Sequence, residues 1–282
     1  MRIFDVFDFD KTIEIMDVGA SVITEVPIYK VLLEKRMAFL TAFDGDERQI
    51  TAIQNAYGRD FVTIIKHFLF DGGKRDVYLC NPASGMTSLL KPKVEALNFF
   101  NGFSNFGEVQ SIEQVQTSRL DDIKNLRSPD FLKMDVQGAE LEIIKNGKNA
   151  LKNCLAIQLE VSYFNLYEKQ PSFGEIDVHL RSLGFVPHRF LEVKRWAIAP
   201  TVFNGNFRVP GNQLLESDIV YIKNPLNLDK LDSIQLKKLA ILAHYSFKSY
   251  DLCARLLIEL ERREVCDVNS HQQYLSNVKN FN

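Results

Sequence analysis

Three short stretches hold residue types that could do chemistry together. The first is Asp17-Val18-Gly19-Ala20-Ser21, at the end of the apolar run Ile13 to Val18. A glycine closing a strand lets backbone approach a ligand closely, and free amides at a following helix can bind a carboxylate or phosphate. A plain strand-to-helix turn explains the same residues. The second is Asp44, after the apolar run Phe39 to Phe43. In nucleotide-binding α/β folds an acid there accepts both ribose hydroxyls. It lies further from the glycine than the usual ~20 residues, and Asp46 or Glu47 would serve equally well as a solvated turn acid. The third is Lys133-Met134-Asp135-Val136-Gln137-Gly138-Ala139-Glu140. An acid ending a central strand points into the crevice where open α/β sheets bind ligands, and it can face a cation or orient a hydroxyl. Helix capping by Asp135 is the plain alternative. Glu160, closing the run Gln158 to Val161, would bring a second carboxylate to the same rim, and an acid in an apolar strand is costly unless paired or functional.

These residues need a scaffold of alternating strands and helices. Strands are predicted at residues 13–18, 39–43, 61–65, 131–135, 155–161, 185–193 and 218–223. Helices are predicted at 25–38, 47–57 with Asp46 as cap, 139–145 and 175–183. Segments 67–70 and 76–80 flank Asp71-Gly72-Gly73-Lys74-Arg75, a hairpin signature, and 109–117 alternates like an exposed strand. Such alternation predicts a parallel sheet covered on both faces, and two late strands with no helix between them predict an antiparallel edge. After Asn224-Pro225 the chain carries apolar residues at helical spacing, read as a small helical appendage (226–282) to a main domain (1–225). Its stripes would pack on the sheet domain or form a homodimer contact.

The 282 residues suit one large α/β domain plus that appendage, and 46% hydrophobic with 25% charged residues argues against wholesale disorder. A net charge of −2 and a pI near 6.2 give no general pull toward nucleic acid or anionic lipid. Four cysteines without a CxxC pair or a His at ligand spacing argue against zinc and disulfides, and fit a reducing cytosol. The acidic, aromatic start RIFDVFDFDK is unlike a signal peptide, and no stretch reaches the ~18 apolar residues of a membrane span. The expectation is a cytoplasmic protein. The acids are too dispersed to suggest a metal.

The segment KMDVQGAELEIIKNG, followed by LAIQLEVSYFNLYEKQPSFGEIDVHLRSLGF, resembles the FkbM-type methyltransferases. Their pattern joins a lysine-hydrophobic-aspartate strand, a glycine-alanine-glutamate turn and a strand ending in glutamate. DVGAS, AFDGD, SGMTSLL and Leu120-Asp121-Asp122 extend the resemblance over roughly residues 13–223. It implies a Rossmann-like class I methyltransferase sheet, S-adenosylmethionine as cofactor, and O-methylation of a carbohydrate, polysaccharide precursor or natural product. By position, Asp17, Gly19, Ala20 and Ser21 would hold the methionine part, Asp44 the ribose, and the Leu69–Phe70 turn would lie near the adenine. Ser88 matches the family's serine in the polar segment at the cofactor pocket. Asp135 and Glu160 would face the reacting centre, Asp135 touching the cofactor as well, with His188 and His67 as further candidate bases. Two positions depart from the family: Ile23 replaces a frequent glycine, and Asp44-Gly45 replaces glutamate-proline. Asp44 keeps the carboxylate. Two rivals remain open: a non-catalytic scaffold in a glycan-biosynthesis assembly, and a nicotinamide-dependent oxidoreductase, the latter disfavoured by the absence of GxGxxG.

Overall fold

The computed structural model describes residues 3, 6–20, 26–44, 47–81 and 83–278. The first half of the chain runs β1 (Ile13–Val18), α1 (Lys30–Glu34), β2 (Ala38–Phe43), α2 (Glu47–Tyr57), β3 (Val62–Ile65), β4 (Phe68–Leu69) and β5 (Lys74–Leu79). It continues through α3 (Val94–Phe99), α4 (Phe103–Phe106), β6 (Ser111–Ser118), β7 (Phe131–Met134), α5 (Glu140–Lys145), β8 (Ala156–Ser162) and α6 (Phe173–Ser182). Last come β9 (Phe185–Trp196), β10 (Gln213–Lys223), α7 (Ser233–Leu242), α8 (Tyr250–Arg262) and α9 (Ser270–Asn277).

Seven strands form one sheet in the order β3-β2-β1-β7-β8-β10-β9. β3, β2, β1, β7 and β8 are parallel, and β10 is antiparallel to both neighbours. Every residue of β7 and β8 is buried, as expected of strands covered on both faces. Strand order reverses between β1 and β7, so the connections diverge there and leave a crevice at the carboxyl ends.

The two faces are covered differently. Met16, Val18, Leu132, Met134, Ile157 and Leu159 pack with Leu141, Ile144, Ile176 and Leu180 of α5 and α6. On the other face Ile13, Ile15, Leu40, Phe131, Ala156, Val220 and Ile222 share one core with Leu236, Leu239, Leu256, Leu257 and Tyr274 of the C-terminal helices. An Asp232–Gln235 capping box starts α7. Lys238 donates to Asp130 at 2.7 Å, tying α7 to the foot of the sheet, where Asp130 also accepts from the Glu14 amide. Beyond α7, one π turn (Ala243–Phe247) sets Phe247 edge-on against Phe131, centroids 5.5 Å apart.

Two sequence expectations are corrected. The helix predicted over 25–38 is only α1 in the described part, because Arg36 turns left-handed (φ 56°) and the Met37 carbonyl accepts from the Ile13 amide. The chain must already be strand at Ala38 to pair with Ile13. The predicted hairpin does not form either: β6 lies between β4 and β5, parallel to one and antiparallel to the other. Thr117 of β6 captures the turn, its hydroxyl donating to the Gly73 carbonyl (2.7 Å) and accepting from the Gly72 amide (3.2 Å). The cap predicted at Asp46 lies outside the described residues. Among those residues, no helix is long and apolar enough to cross a membrane.

Deleting residues 226–282 would uncover much of the apolar half of one sheet face, so the shortened chain should lose its cooperative thermal transition and bind hydrophobic dyes. Circular dichroism melting checks this; a sharp transition near that of the full chain would contradict it.

Candidate functional site

At the crevice, β1 and β7 end against one another. The Asp135 amide donates to the Val18 carbonyl and the Gly19 amide to the Phe43 carbonyl, each at 3.0 Å. Gly19 has φ +77°, and a Cβ there would stand 2.1 Å from the Asp135 carbonyl oxygen. No side chain fits, so bare backbone faces the crevice.

Beside Gly19 opens a cavity of about 260 Å³. Gly19, Asp44, Leu69, Ser88 and Asp135 all line it, together with His67 and the apolar side chains of Phe43, Val77 and Val136. Six residues chosen from the sequence, His67 among them, thus share one cleft. Ser88 serves as a strap: its hydroxyl donates to the Gln137 carbonyl (2.8 Å) and accepts from the Leu90 amide (2.9 Å). Ala20 is fully buried behind the glycine. Phe70 faces away, into a neighbouring charged cleft of about 660 Å³. Ser21, Ile23 and Gly45 lie outside the described residues.

Asp17 stands below the cavity at 1% exposure. Its carboxylate accepts from the Tyr29 hydroxyl and lies 3.6 Å from the Lys133 ammonium, its register partner on β7. Burial pushes its pKa up, with Lys133 and Tyr29 pulling the other way.

The rim carboxylates are joined by a residue the sequence reading passed over. Gln137, left-handed at φ 54°, points its amide nitrogen at Asp135 Oδ1 (3.0 Å) and Glu160 Oε1 (3.4 Å). Its side-chain oxygen accepts from the Tyr167 hydroxyl at 2.9 Å. Glu160 is 9% exposed, and burial, then Glu216 and Asp135, hold its carboxyl well above the usual range against the pull of Lys194. Asp135 does not cap α5. The helix has no side-chain cap; Glu140, its first residue, instead folds back onto the preceding loop to accept from the Val136 (3.1 Å) and Gly138 (3.3 Å) amides. Burial pushes the Glu140 carboxyl up to about 7. Its position in the glycine-alanine-glutamate turn was the available signal; nothing comparable marked Gln137 or Lys194.

His188 is the one candidate base that the structure does not bring to the rim. Register sets Glu192, four residues on, level with Asp218 and Glu160. Two bulges interrupt β9 on the way, and Arg189 and Pro187 stand opposite Val220 and Tyr221, so at ~3.3 Å per residue His188 sits about 8 Å below the level of Asp218, where it packs on Phe247. His67 does line the cavity, with Nδ1 2.8 Å from the Ser118 hydroxyl.

A crevice at the strand-order reversal, cradled by backbone, walled by apolar side chains and set with two carboxylates, fits a ligand that combines a flat ring, hydroxyls and a cationic centre. Together with the antiparallel β9–β10 edge, this is the Rossmann-like class I methyltransferase sheet. The chain belongs to the FkbM methyltransferases: the model of the Methyltransferase FkbM domain matches residues 11–187. Similar solved structures include magnesium protoporphyrin IX methyltransferase from Synechocystis with bound S-adenosylmethionine, at 12% identity and TM-score 0.37, covering 76% of this chain and 71% of that one. Another is a TehB-like S-adenosylmethionine-dependent methyltransferase from Corynebacterium glutamicum, at 11% identity and TM-score 0.35, covering 77% and 83%. No curated protein matches the chain.

Glu140 makes stability pH-dependent. Its proton is bound more tightly in the folded chain, so its favourable contribution is complete below the ordinary value of 4.5 and is lost as pH rises through about 7. Glu140→Gln, which keeps the acceptor oxygen, should flatten the melting temperature between about pH 5 and about pH 8. Thermal melts across that window check it; parallel curves for the two proteins would contradict it.

Proposed function

We propose that this protein transfers the methyl group of S-adenosylmethionine to a hydroxyl of a sugar, polysaccharide precursor or related metabolite. The observation behind this reading is that Gly19, Asp44 and Asp135 line one cavity, with Glu160 linked to Asp135 through Gln137. The cofactor supplies an electrophilic methyl on a sulfonium that is already a good leaving group. The protein must therefore align the acceptor oxygen and remove its proton.

Asp44 accepts the two ribose hydroxyls with its two oxygens. The backbone at Gly19 and Ala20 holds the methionine part, with Asp17 braced beneath by Lys133 and Tyr29, and Leu69 leads the turn toward the adenine. Gln137 occupies Asp135 Oδ1, which leaves Oδ2 to take the acceptor's hydroxyl hydrogen as the new bond forms. Glu160 stands behind it as a second acid of raised proton affinity.

Isothermal titration should show S-adenosylmethionine binding, weakened on the order of tenfold to a hundredfold by Asp44→Ala as charged hydrogen bonds are lost. Incubation with methyl-labelled cofactor and a panel of soluble saccharides should give alkali-stable label, the mark of an ether. Asp135→Asn should lower turnover at saturating cofactor roughly a hundredfold or more, well beyond any loss of cofactor affinity. Full turnover in that variant would remove Asp135 from its role. Failure to bind cofactor at millimolar concentration would instead favour a scaffold role.

A further inference from the structure

β10 separates β9 from Glu160, yet one side chain of β9 reaches across to it. Lys194 stands opposite Glu216 on β10, while Glu160 stands opposite Asp218, two residues further along. The lysine therefore lies diagonally across β10, with its ammonium 2.8 Å from Glu216 Oε1 and 3.5 Å from Glu160 Oε2. Diagonal neighbours on one sheet face are within reach of long side chains.

The charges around Glu160 come from every element packed on it. Asp135 approaches from the loop after β7, Glu140 from α5, and Glu216 from β10, all disfavouring its ionised form. Asp218 of β10 acts on Lys194, and the Tyr167 hydroxyl faces Glu160 from the loop after β8. Against these acids Lys194 is the opposing cation. Its own proton is held more firmly than an ordinary lysine's by Glu216 and Glu160, despite burial. A buried acid among other acids becomes neutral unless a cation is built in beside it.

We propose that Lys194 is a positioning residue of the site: shared between Glu160 and Glu216, it holds the Glu160 carboxyl toward Gln137 and sets its positive charge against the surrounding acids, so that the rim can present an anion to a cationic donor. The inference rests on the reading that Asp135 and Glu160 face the reacting centre, and it assigns a function to a strand outside the resemblance motif.

The test compares two probes that differ in one methyl and one charge, S-adenosylmethionine and the neutral thioether S-adenosylhomocysteine. Their affinities for the full chain are measured by titration calorimetry across a pH series. In the wild type the preference for the cationic probe should fall as pH is lowered and Glu160 takes up a proton. Lys194→Met should move that fall to higher pH and reduce the preference near neutrality on the order of tenfold, the loss of one charge several ångströms from the sulfonium. Lys194→Arg should restore it to within about twofold, since the guanidinium keeps the charge.

A Lys194→Met protein that melts cooperatively and keeps or raises its preference overturns the proposal. Should that variant not fold, Glu216→Gln gives the second reading, because it leaves the ammonium to Glu160 alone. The pH transition must then move lower, and an unmoved transition overturns the proposal. A pH-independent preference in the wild type overturns both this inference and the placement of the carboxylates. A failed lysine test beside a crippled Asp135→Asn enzyme overturns this inference alone.

Discussion

Backbone at the end of β1 and backbone at the end of β7 nearly touch, and much of the site follows from that approach. The Asp135 carbonyl occupies the place where a side chain on residue 19 would have to stand. The two strands are parallel neighbours whose onward connections leave in opposite directions, so the crevice opens directly over their contact. Asp135 is thereby fixed in height by its amide bond to Val18, and Asp44 is fixed on the next strand by the bond from Gly19 to Phe43. Three elements far apart in sequence are held at one level by two hydrogen bonds and one missing Cβ. A β-carbon at this point would part the strand ends and misalign both carboxylates together.

The sheet face over this contact changes character along its length. Near its foot, Ile13, Phe131, Ala156 and Ile222 join the core under α7 and α8. Toward the carboxyl ends the same side of the same strands carries Asp17, Lys133, Gln158, Glu160 and Asp218, because side chains two residues apart share a face. The apolar half needs the C-terminal helices to cover it; the polar half needs internal partners. Asp17 with Lys133 and Glu160 with Lys194 meet that need at a cost, since buried pairs seldom repay their desolvation in full. The return is rigidity. Carboxylates held by neighbouring strands do not reorganise when charge moves near them, which is what electrostatic preorganisation requires.

Sequence reading served well where a local pattern carries the physical cause, and poorly where the cause is distant. The strand Phe131–Met134, the turn at Gly138 and the edge formed by β9 and β10 were visible because apolar runs and glycines mark them directly. The helix expected over 25–38 failed because the pairing of Ala38 with Ile13 overrides helical spacing. The hairpin failed because the decisive residue, Thr117, lies more than forty positions away. His188 was a residue type without a height: only register along β9 shows that it belongs to the foot of the sheet. Lys194 suffered the opposite fate. It lies one residue beyond the strand predicted at 185–193, and its contact with Glu160 exists only once β10 is laid between them.

The electrostatics of the rim now have a consistent sign. Asp135, Glu160 and Glu216 bring three carboxyl groups into one small volume, and Lys194 supplies one ammonium between two of them. Glu160 and Glu140 are withdrawn from this count in part, because burial raises the proton affinity of both and backbone amides occupy an oxygen of Glu140. The arrangement therefore retains an excess of negative charge close to Gly19, in a place with little water to screen it. Such an excess would be a liability facing an anionic ligand. Facing a sulfonium it stabilises the bound cation, and the same carboxylates remain placed to receive a hydroxyl proton once that positive charge has been discharged. One set of acids can thus serve binding before the transfer and proton removal during it, provided their spacing is held by a neutral hydrogen-bond donor such as Gln137 and not by a second cation that would cancel them.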